Sequence, residues 1–419
     1  MGIMTSSSFS KAFCQFIDAS PSVFHATENI VATLRKSGFI GLQENASWSL
    51  QEGKSYFVSR NDSSVIAFTL PQKCRPQSRI RLVTSHLDSP APRLKLRSLN
   101  EVAGQSIVSV EIYGGTILNT WLDRPLGVAG RCLDPKTGLF TLFNLEHAAV
   151  IPNLAIHLNR KCNEGEALNP QNDLNAIIGD DLRNTPLKSL MESRPDVPLV
   201  SELFLYDDTS AAIIGESIVN APRLDNLTSA FAALRAITEC TDSPDICLSF
   251  FADNEEIGSR TPQGADSSFL KTIITRIVLA LGGTQEDLYV TLANSIFISA
   301  DAAHAVHPNH SEKHDRYYAP LMGHGVALKT NVQGRYCTTG PMLKHFIALA
   351  QKCRIPLQFF TNRADMPCGS TVGPTTAAEL GIAGIDLGIP MLAMHSARET
   401  AALADIWQLY RLMACFMGR

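Results

Sequence analysis

The 419-residue sequence lacks any uninterrupted run of the roughly 18 to 20 uncharged apolar residues that a membrane-crossing helix requires, so no membrane partner is expected. A basic excess is missing too. The 36 Lys and Arg residues face 40 Asp and Glu, giving a net charge of −4 and a pI near 6.3, whereas a nucleic-acid-binding domain favours a basic balance. None of the ten cysteines forms a Cys-x-x-Cys spacing, and most sit in apolar patterns. Buried thiols in a reducing compartment are therefore expected, rather than a disulfide framework or a thiolate metal site. The stretch Met1-Gly2-Ile3-Met4-Thr5-Ser6 has no basic start, long apolar centre or small-residue cleavage site of a secretory signal, and a cytoplasmic location is expected. Gly2 and Ser6 match a loose myristoylation pattern, but no basic cluster or second lipid site follows, and the match reads as chance. Internal repeats and low-complexity segments are also absent.

What remains is an ordinary globular composition, 45% hydrophobic and 18% charged, in a chain long enough for two or three domains. Helical spacing of Phe9, Phe13, Phe16 and Ile17 is followed by a second helix carrying Phe24, Ile30, Val31 and Leu34, stopped at Ser37-Gly38. Strands are predicted at 55–59, 65–70, 80–85, 246–252, 295–300 and 357–361, with helices after Leu227, up to Ala280 and at the C-terminus. Between Ala91 and Pro222 the pattern changes to short, turn-rich strands, among them 106–112, 127–132 and 211–219, and the polar stretch 159–181 reads as a loop or interface segment. The expected fold class is α/β, with residues 1–92 and 222–419 forming one discontinuous domain and 93–221 an inserted β-rich domain.

The chemistry centres on Asp253-Asn254-Glu255-Glu256-Ile257-Gly258, where two glutamates follow the apolar strand 246–252. Two acids at a buried strand end are costly without a cation. Their side chains diverge, so one can bind a metal while its neighbour moves protons. Four further groups stand in comparable places. His86 ends the strand 80–85, with Asp88 two residues on and able to accept the second imidazole N–H. Asp301 ends the strand 295–300, and His395 precedes the last helix. Asp225 stands at a helix start, where the plainer explanation is an N-cap worth about 1 kcal/mol. Two divalent ions about 3.5 to 4 Å apart need one bridging carboxylate and a carboxylate and histidine each, and His86, Asp225, Glu256, Asp301 and His395 meet that requirement as a set.

The segments Thr84-Ser85-His86-Leu87-Asp88-Ser89-Pro90, Arg223-Leu224-Asp225-Asn226-Leu227, Asp253 to Ser259, Ser299 to Asn309 and Leu392-Ala393-Met394-His395-Ser396 resemble the aspartyl aminopeptidase family of dinuclear zinc exopeptidases. Asn119 to Arg124 and Pro367 to Pro374 extend the resemblance over nearly the whole chain. It implies a zinc-exopeptidase-like α/β/α sandwich with an inserted β-rich domain and two divalent ions, zinc first, with Mn2+ or Co2+ as alternatives. Asp225 would bridge the ions, His86 and Asp301 completing one site and Glu256 and His395 the other. Asp88 would orient His86. Glu255 would be the general base for attack by a water activated at the ions.

The same resemblance implies a tetrahedral dodecamer built from dimers, acting on peptides with a free N-terminus. Lys329 aligns with a family lysine that selects acidic side chains; its plainer explanation is a surface lysine at a strand end. His157 resembles a family histidine that reaches a neighbouring subunit's site, and as a histidine in an apolar run it reads equally as a core residue. His304 and His307 read as supporting or packing groups. Leu87 stands where the family often has a small hydroxyl residue, and the surroundings of Lys329 depart from the family pattern, so a broader-specificity aminopeptidase of a related tetrahedral family is one alternative. A non-catalytic scaffold is another, although it would have no use for Glu255.

Overall fold

The computed structural model describes residues 5–134, 137–165, 167–179, 200–240 and 242–418. Gly2, of the myristoylation pattern, and Asp181, at the end of the polar stretch, lie outside the described residues. A nine-stranded sheet runs in the order Ile40–Gly41, Ser55–Arg60, Ser64–Thr69, Ile246–Ala252, Ile80–His86, Ile296–Ala300, Ala383–Gly388, Val326–Lys329 and Leu357–Phe360. Its four central strands, from Ile246–Ala252 to Ala383–Gly388, are mutually parallel. Such strands are covered on both faces and read as continuous apolar runs, as Ile246–Ala252 does.

Alternation along that strand divides the core. Cys247 and Phe251 face a cluster with Phe13, Ile17, Phe231 and Tyr410, while Leu248 and Phe250 face another with Phe68, Phe269, Ile273 and Ile277. The helices Ser6–Asp18, Leu224–Thr238 and Leu403–Phe416 cover the first face, and Phe269–Ala280 the second. Each fully buried phenylalanine contributes about 1.5–3 kcal/mol.

An eight-stranded sheet draws its strands from Ala91–Leu94 to Ser201–Asp207 and has its own core around Trp121, Val128, Ile151 and Leu205. A five-stranded sheet, ordered Ala212–Ile214, Ile218–Ala221, Glu399–Ala402, Pro390–Leu392 and Ala303–His304, lies beside the site. Three of its strands adjoin candidate ligands: Ile218–Ala221 leads to Asp225, Pro390–Leu392 leads to His395, and Ala303–His304 follows Asp301.

Several local expectations change. The strand read over 211–219 is a hairpin, Ala212–Ile214 and Ile218–Ala221, turned at Gly215 and Glu216, both at positive φ. The strand read over 106–112 breaks at Ser109, because Gln105–Val108 and Val110–Tyr113 pair with different neighbours. Within the polar stretch, a short helix Pro170–Asp173 and a strand Ala176–Ile178 replace the expected loop. A separate helix, Gln285–Asn294, follows Phe269–Ala280. Cys353 and Cys415 are joined as a disulfide, 62 residues apart in sequence, so spacing gave no hint of the pair; eight other cysteines are free.

Candidate metal centre

Parallel register brings the ligand candidates to one edge. Ala252 lies opposite His86, and Ser299 lies opposite Thr84, so His86, Glu255, Glu256 and Asp301 all leave the sheet at its C-terminal end, where open α/β sheets place ligand groups. Asp225 arrives from the other direction. Its backbone, like that of Asn226, is non-helical, and its peptide bond to Asn226 is cis. The capping explanation fails on the side chain: Asp225 Oδ1 accepts from no helix N–H and faces the His86 imidazole, while Oδ2 faces that of His395.

The geometry has a shared centre. His86 Nε2 stands 3.5 Å from Asp225 Oδ1 and 3.8 Å from Asp301 Oδ1. His395 Nε2 stands 3.5 Å from Asp225 Oδ2 and 3.3 Å from Glu256 Oε2. Thus His86, Asp225 and Asp301 form one group able to hold an ion, Asp225, Glu256 and His395 form a second, and the two meet at Asp225. A third group combines His86 with Glu255 and Glu256; Glu255 Oε2 is 3.9 Å from His86 Nε2.

Both imidazoles present the nitrogen a metal needs. His86 Nδ1 donates to the Asp88 carbonyl at 3.1 Å and His395 Nδ1 to the Gly115 carbonyl at 3.0 Å, which leaves each Nε2 lone pair facing the carboxylates. Asp88 holds His86 chiefly through this backbone oxygen, with its carboxylate 3.4 Å away. That carboxylate mainly anchors the neighbouring loop. It accepts from the Glu255 and Glu256 N–H groups, each at 3.1 Å, and from the Tyr113 hydroxyl at 2.6 Å.

Electrostatics identify what the pocket is built to receive. Burial pushes the Glu255 carboxyl up to about 8, reinforced by Asp301 and Asp88, and pushes Glu256 well above the usual carboxylate range. Burial also acts against Asp225, but His395 and His86 outweigh it and hold that carboxyl far below its ordinary value. His86 is raised despite burial, by Asp225, Asp301 and Asp88. Burying these carboxyls side by side is costly without a cation. Divalent ions remove that cost, and two buried oxygens without a partner, Asp225 Oδ1 and Glu256 Oε1, fit as donors.

The remaining candidates fall elsewhere. Lys329 is not on the surface: it is 2% exposed, donates to the carbonyls of Ala302 at 2.9 Å and Asp301 at 3.3 Å, and lies 3.7 Å from Asp301 Oδ2. Its charge also faces the Tyr336 ring at 4.8 Å. His157 is exposed in a turn, which removes the core reading. His304 packs edge-on against Phe360, and His307 accepts from the Asn309 N–H. Sequence reading missed Tyr113, Gly115 and Glu399, whose contacts with Asp88, His395 and Asp225 respectively span 25, 280 and 174 positions.

The family model described as Aminopeptidase I zinc metalloprotease (M18) matches residues 16–417. The chain belongs to the M18 family. It is accordingly a zinc aminopeptidase, a metallopeptidase hydrolase. Among its M18 relatives, a probable M18 family aminopeptidase 2 of Ectopseudomonas mendocina is 39% identical over 416 residues, covering 96% of each chain. Its counterpart in Pseudomonas syringae pv. tomato is 39% identical, covering 97% of each. Of solved structures, Ape4 in the Ape4 and Nbr1 complex superposes with a TM-score of 0.92 at 34% identity, over 98% of this chain and 86% of that one. The S. cerevisiae mApe1 dodecamer gives 0.83 at 28% identity, over 97% and 95%. An M18 aminopeptidase from Thermotoga maritima shares the fold, with a TM-score of 0.88 at 23% identity over 98% and 96%. The mixed α/β fold is that of the M18 structures. Among the described residues, no helix is long and apolar enough to cross a membrane.

Proposed function

We propose that the chain is a dinuclear zinc aminopeptidase that removes N-terminal residues, Asp and Glu preferentially, from peptides with a free N-terminus. The supporting observation is the meeting of two histidine and carboxylate groups at Asp225. Zinc bound there supplies Lewis-acid polarisation of the first peptide carbonyl and lowers the pKa of water to about 7. The mixed nitrogen and oxygen donor set would accept Mn2+ or Co2+ as well. In this reading Asp225 bridges, His86 and Asp301 complete one site, and Glu256 and His395 complete the other. Asp88 keeps the His86 proton on Nδ1 and fixes the backbone of both glutamates. Glu255 takes the proton of the attacking water and delivers it to the departing amine. It belongs to neither group that contains Asp225, and its side chain is 15% exposed against 4% for Glu256, which suits proton exchange with substrate and solvent.

Lys329 is the cation assigned to the substrate's acidic side chain. Two of its three N–H groups are used on carbonyls, leaving the third and the charge. Its proximity to Asp301 favours a second reading, a relaxed enzyme in which that charge is largely compensated at home.

The catalytic unit is assigned to 1–92 with 222–419, and 93–221 to an inserted β-rich oligomerisation domain; the eight-stranded sheet, with all its strands between Ala91–Leu94 and Ser201–Asp207, supports the insertion, while Ala212–Ile214 and Ile218–Ala221 join the five-stranded sheet beside the site. Around His157, the side chains Leu154, Ile156 and Leu158 are 54%, 48% and 75% exposed, a cost that a second copy would remove. That surface and the dodecameric mApe1 relative support the reading of dimers assembling into a tetrahedral dodecamer, with His157 reaching a partner's centre. The eight free cysteines support a cytoplasmic location, with the Cys353–Cys415 disulfide the exception to that pattern.

The test is metal content together with hydrolysis of substrates bearing N-terminal Asp, Glu, Leu or Lys, by wild type and Lys329→Met. Near two zinc ions per chain and best cleavage of Asp and Glu are expected. Lys329→Met should then lose about 10- to 100-fold in kcat/KM on acidic substrates, the equivalent of one charged hydrogen bond, with Leu cleavage largely kept. Leu preferred by wild type would discard the acidic pocket and keep the mechanism; fewer than two zinc ions per chain would discard the dinuclear centre.

A further inference from the structure

Glu399, 2% exposed, touches both ligand loops. Its Oε1 accepts from the His395 N–H at 2.7 Å and its Oε2 from the Asp225 N–H at 2.9 Å. Neither N–H sits in regular structure. His395 has φ +69 in a tight turn closed by Ser396 N–H on the Ala393 carbonyl, and Asp225 follows Arg223, itself at φ +60. N–H groups of this kind, buried at Asp225 and partly buried at His395, need an acceptor.

The sheet explains why one residue serves both. Glu399 opens the middle strand of three, with Ile218–Ala221 on one side, where Ala221 is its partner, and Pro390–Leu392 on the other. These flanking strands lead into the Asp225 and His395 loops respectively. A carboxylate placed between them reaches both N–H groups at once, and it alone among side chains of this length offers two acceptor oxygens; the amide of Gln offers one and turns a donor toward the other N–H.

We propose that Glu399 is a positioning residue that clamps the bridging aspartate to the terminal histidine and so sets the spacing of Asp225 and His395 for the ion they share with Glu256. The clamp presupposes the two-zinc centre proposed above. It touches no reacting atom, and its effect is exerted through the orientation of two ligands.

The experiment is zinc affinity by competition with a chromophoric chelator, on wild type, Glu399→Gln and Glu399→Asp, each checked for folding by circular dichroism. In Glu399→Gln one of the two zinc ions should bind about 10- to 100-fold more weakly, the usual loss when a group supporting a metal ligand is removed. The other ion should be less affected, because His86 and Asp301 are anchored independently. Glu399→Asp keeps both acceptors on a shorter arm and should recover part of the affinity. Melting temperatures with and without zinc separate a clamp from a general prop: the zinc-induced rise should shrink in Glu399→Gln. A folded Glu399→Gln that binds both ions with wild-type affinity overturns the proposal. If Glu399→Gln does not fold, Glu399→Asp decides: intermediate affinity supports the clamp, and wild-type affinity with an unchanged zinc-induced rise overturns it. A wild-type chain that binds fewer than two zinc ions would instead sink the dinuclear reading on which the clamp is built.

Discussion

Replacing Glu255 by Gln isolates proton transfer from metal binding. The amide matches the carboxylate in volume, and the loop stays anchored, because Glu255 is held through its backbone N–H on Asp88 Oδ1, which the substitution does not alter. His86, Asp225, Asp301, Glu256 and His395 keep their mutual distances, and zinc content should remain near that of wild type. What is lost is the one cluster carboxylate that belongs to neither group meeting at Asp225. General acid–base catalysis contributes typically about 10²- to 10⁴-fold, or roughly 3 to 5.5 kcal/mol of barrier. Because Glu255 would act twice, on the water and on the departing amine, the upper part of that range is expected. The loss should fall on kcat and kcat/KM together, with little change in KM, as for an interaction made only in the transition state. The assay is steady-state hydrolysis of an N-terminal Asp substrate alongside zinc content on the same sample. Undiminished turnover with both ions present would refute the base assignment. Turnover lost together with zinc would instead make Glu255 a ligand, as the third group of His86, Glu255 and Glu256 allows.

Leu158→Asp places a charge in the most exposed member of the apolar turn beside His157, and it should shift the assembly to smaller species by size-exclusion chromatography with light scattering; an unchanged assembly would remove that turn from the interface. His25 gives a pH signature away from the centre: burial, aided by Arg223, lowers it to about 4, while its ring bonds Ser22 Oγ at 2.8 Å. Since the folded state holds this imidazole neutral and the unfolded chain protonates it near pH 6.5, its stabilisation is full above about pH 6.5 and is lost as pH falls toward 4. After allowance for solvent screening, about 1–2 kcal/mol is at stake. Thermal melts of zinc-free wild type and His25→Gln should therefore diverge less at pH 5 than at pH 7.5, and parallel pH profiles would contradict the assignment.

Much of the candidate centre was legible because each candidate ligand follows a pattern that local physics makes visible. Ile246–Ala252 is a continuous apolar run because the strand is covered on both faces, and Glu255 and Glu256 stand out against it for the same reason. His86 and Asp301 are marked by their own strand ends. Where local rules failed, tertiary contacts had overridden them. Asp225 has the composition of an N-cap, yet its Oδ1 accepts from no helix N–H and its carboxylate turns to two histidines. Lys329 ends a strand, which in isolation suggests exposure, but the chain folds Asp301 and Tyr336 over it.

Glu399 shows the limit more sharply. A metal ligand must be one of a few residue types at an accessible strand or helix end, so a sequence offers few candidates and their convergence is informative. A residue that accepts two backbone N–H groups needs only an acid in the right place, and this chain has 40 Asp and Glu residues from which to choose. The contact that distinguishes Glu399 spans 174 positions to Asp225 and depends on strand order in a sheet that joins segments from three parts of the chain. Strand order across such separations leaves no periodic trace in sequence. Groups suited to bind an ion can thus be inferred as a converging set, whereas groups that hold the binders in register emerge only when their N–H donors are followed to an acceptor.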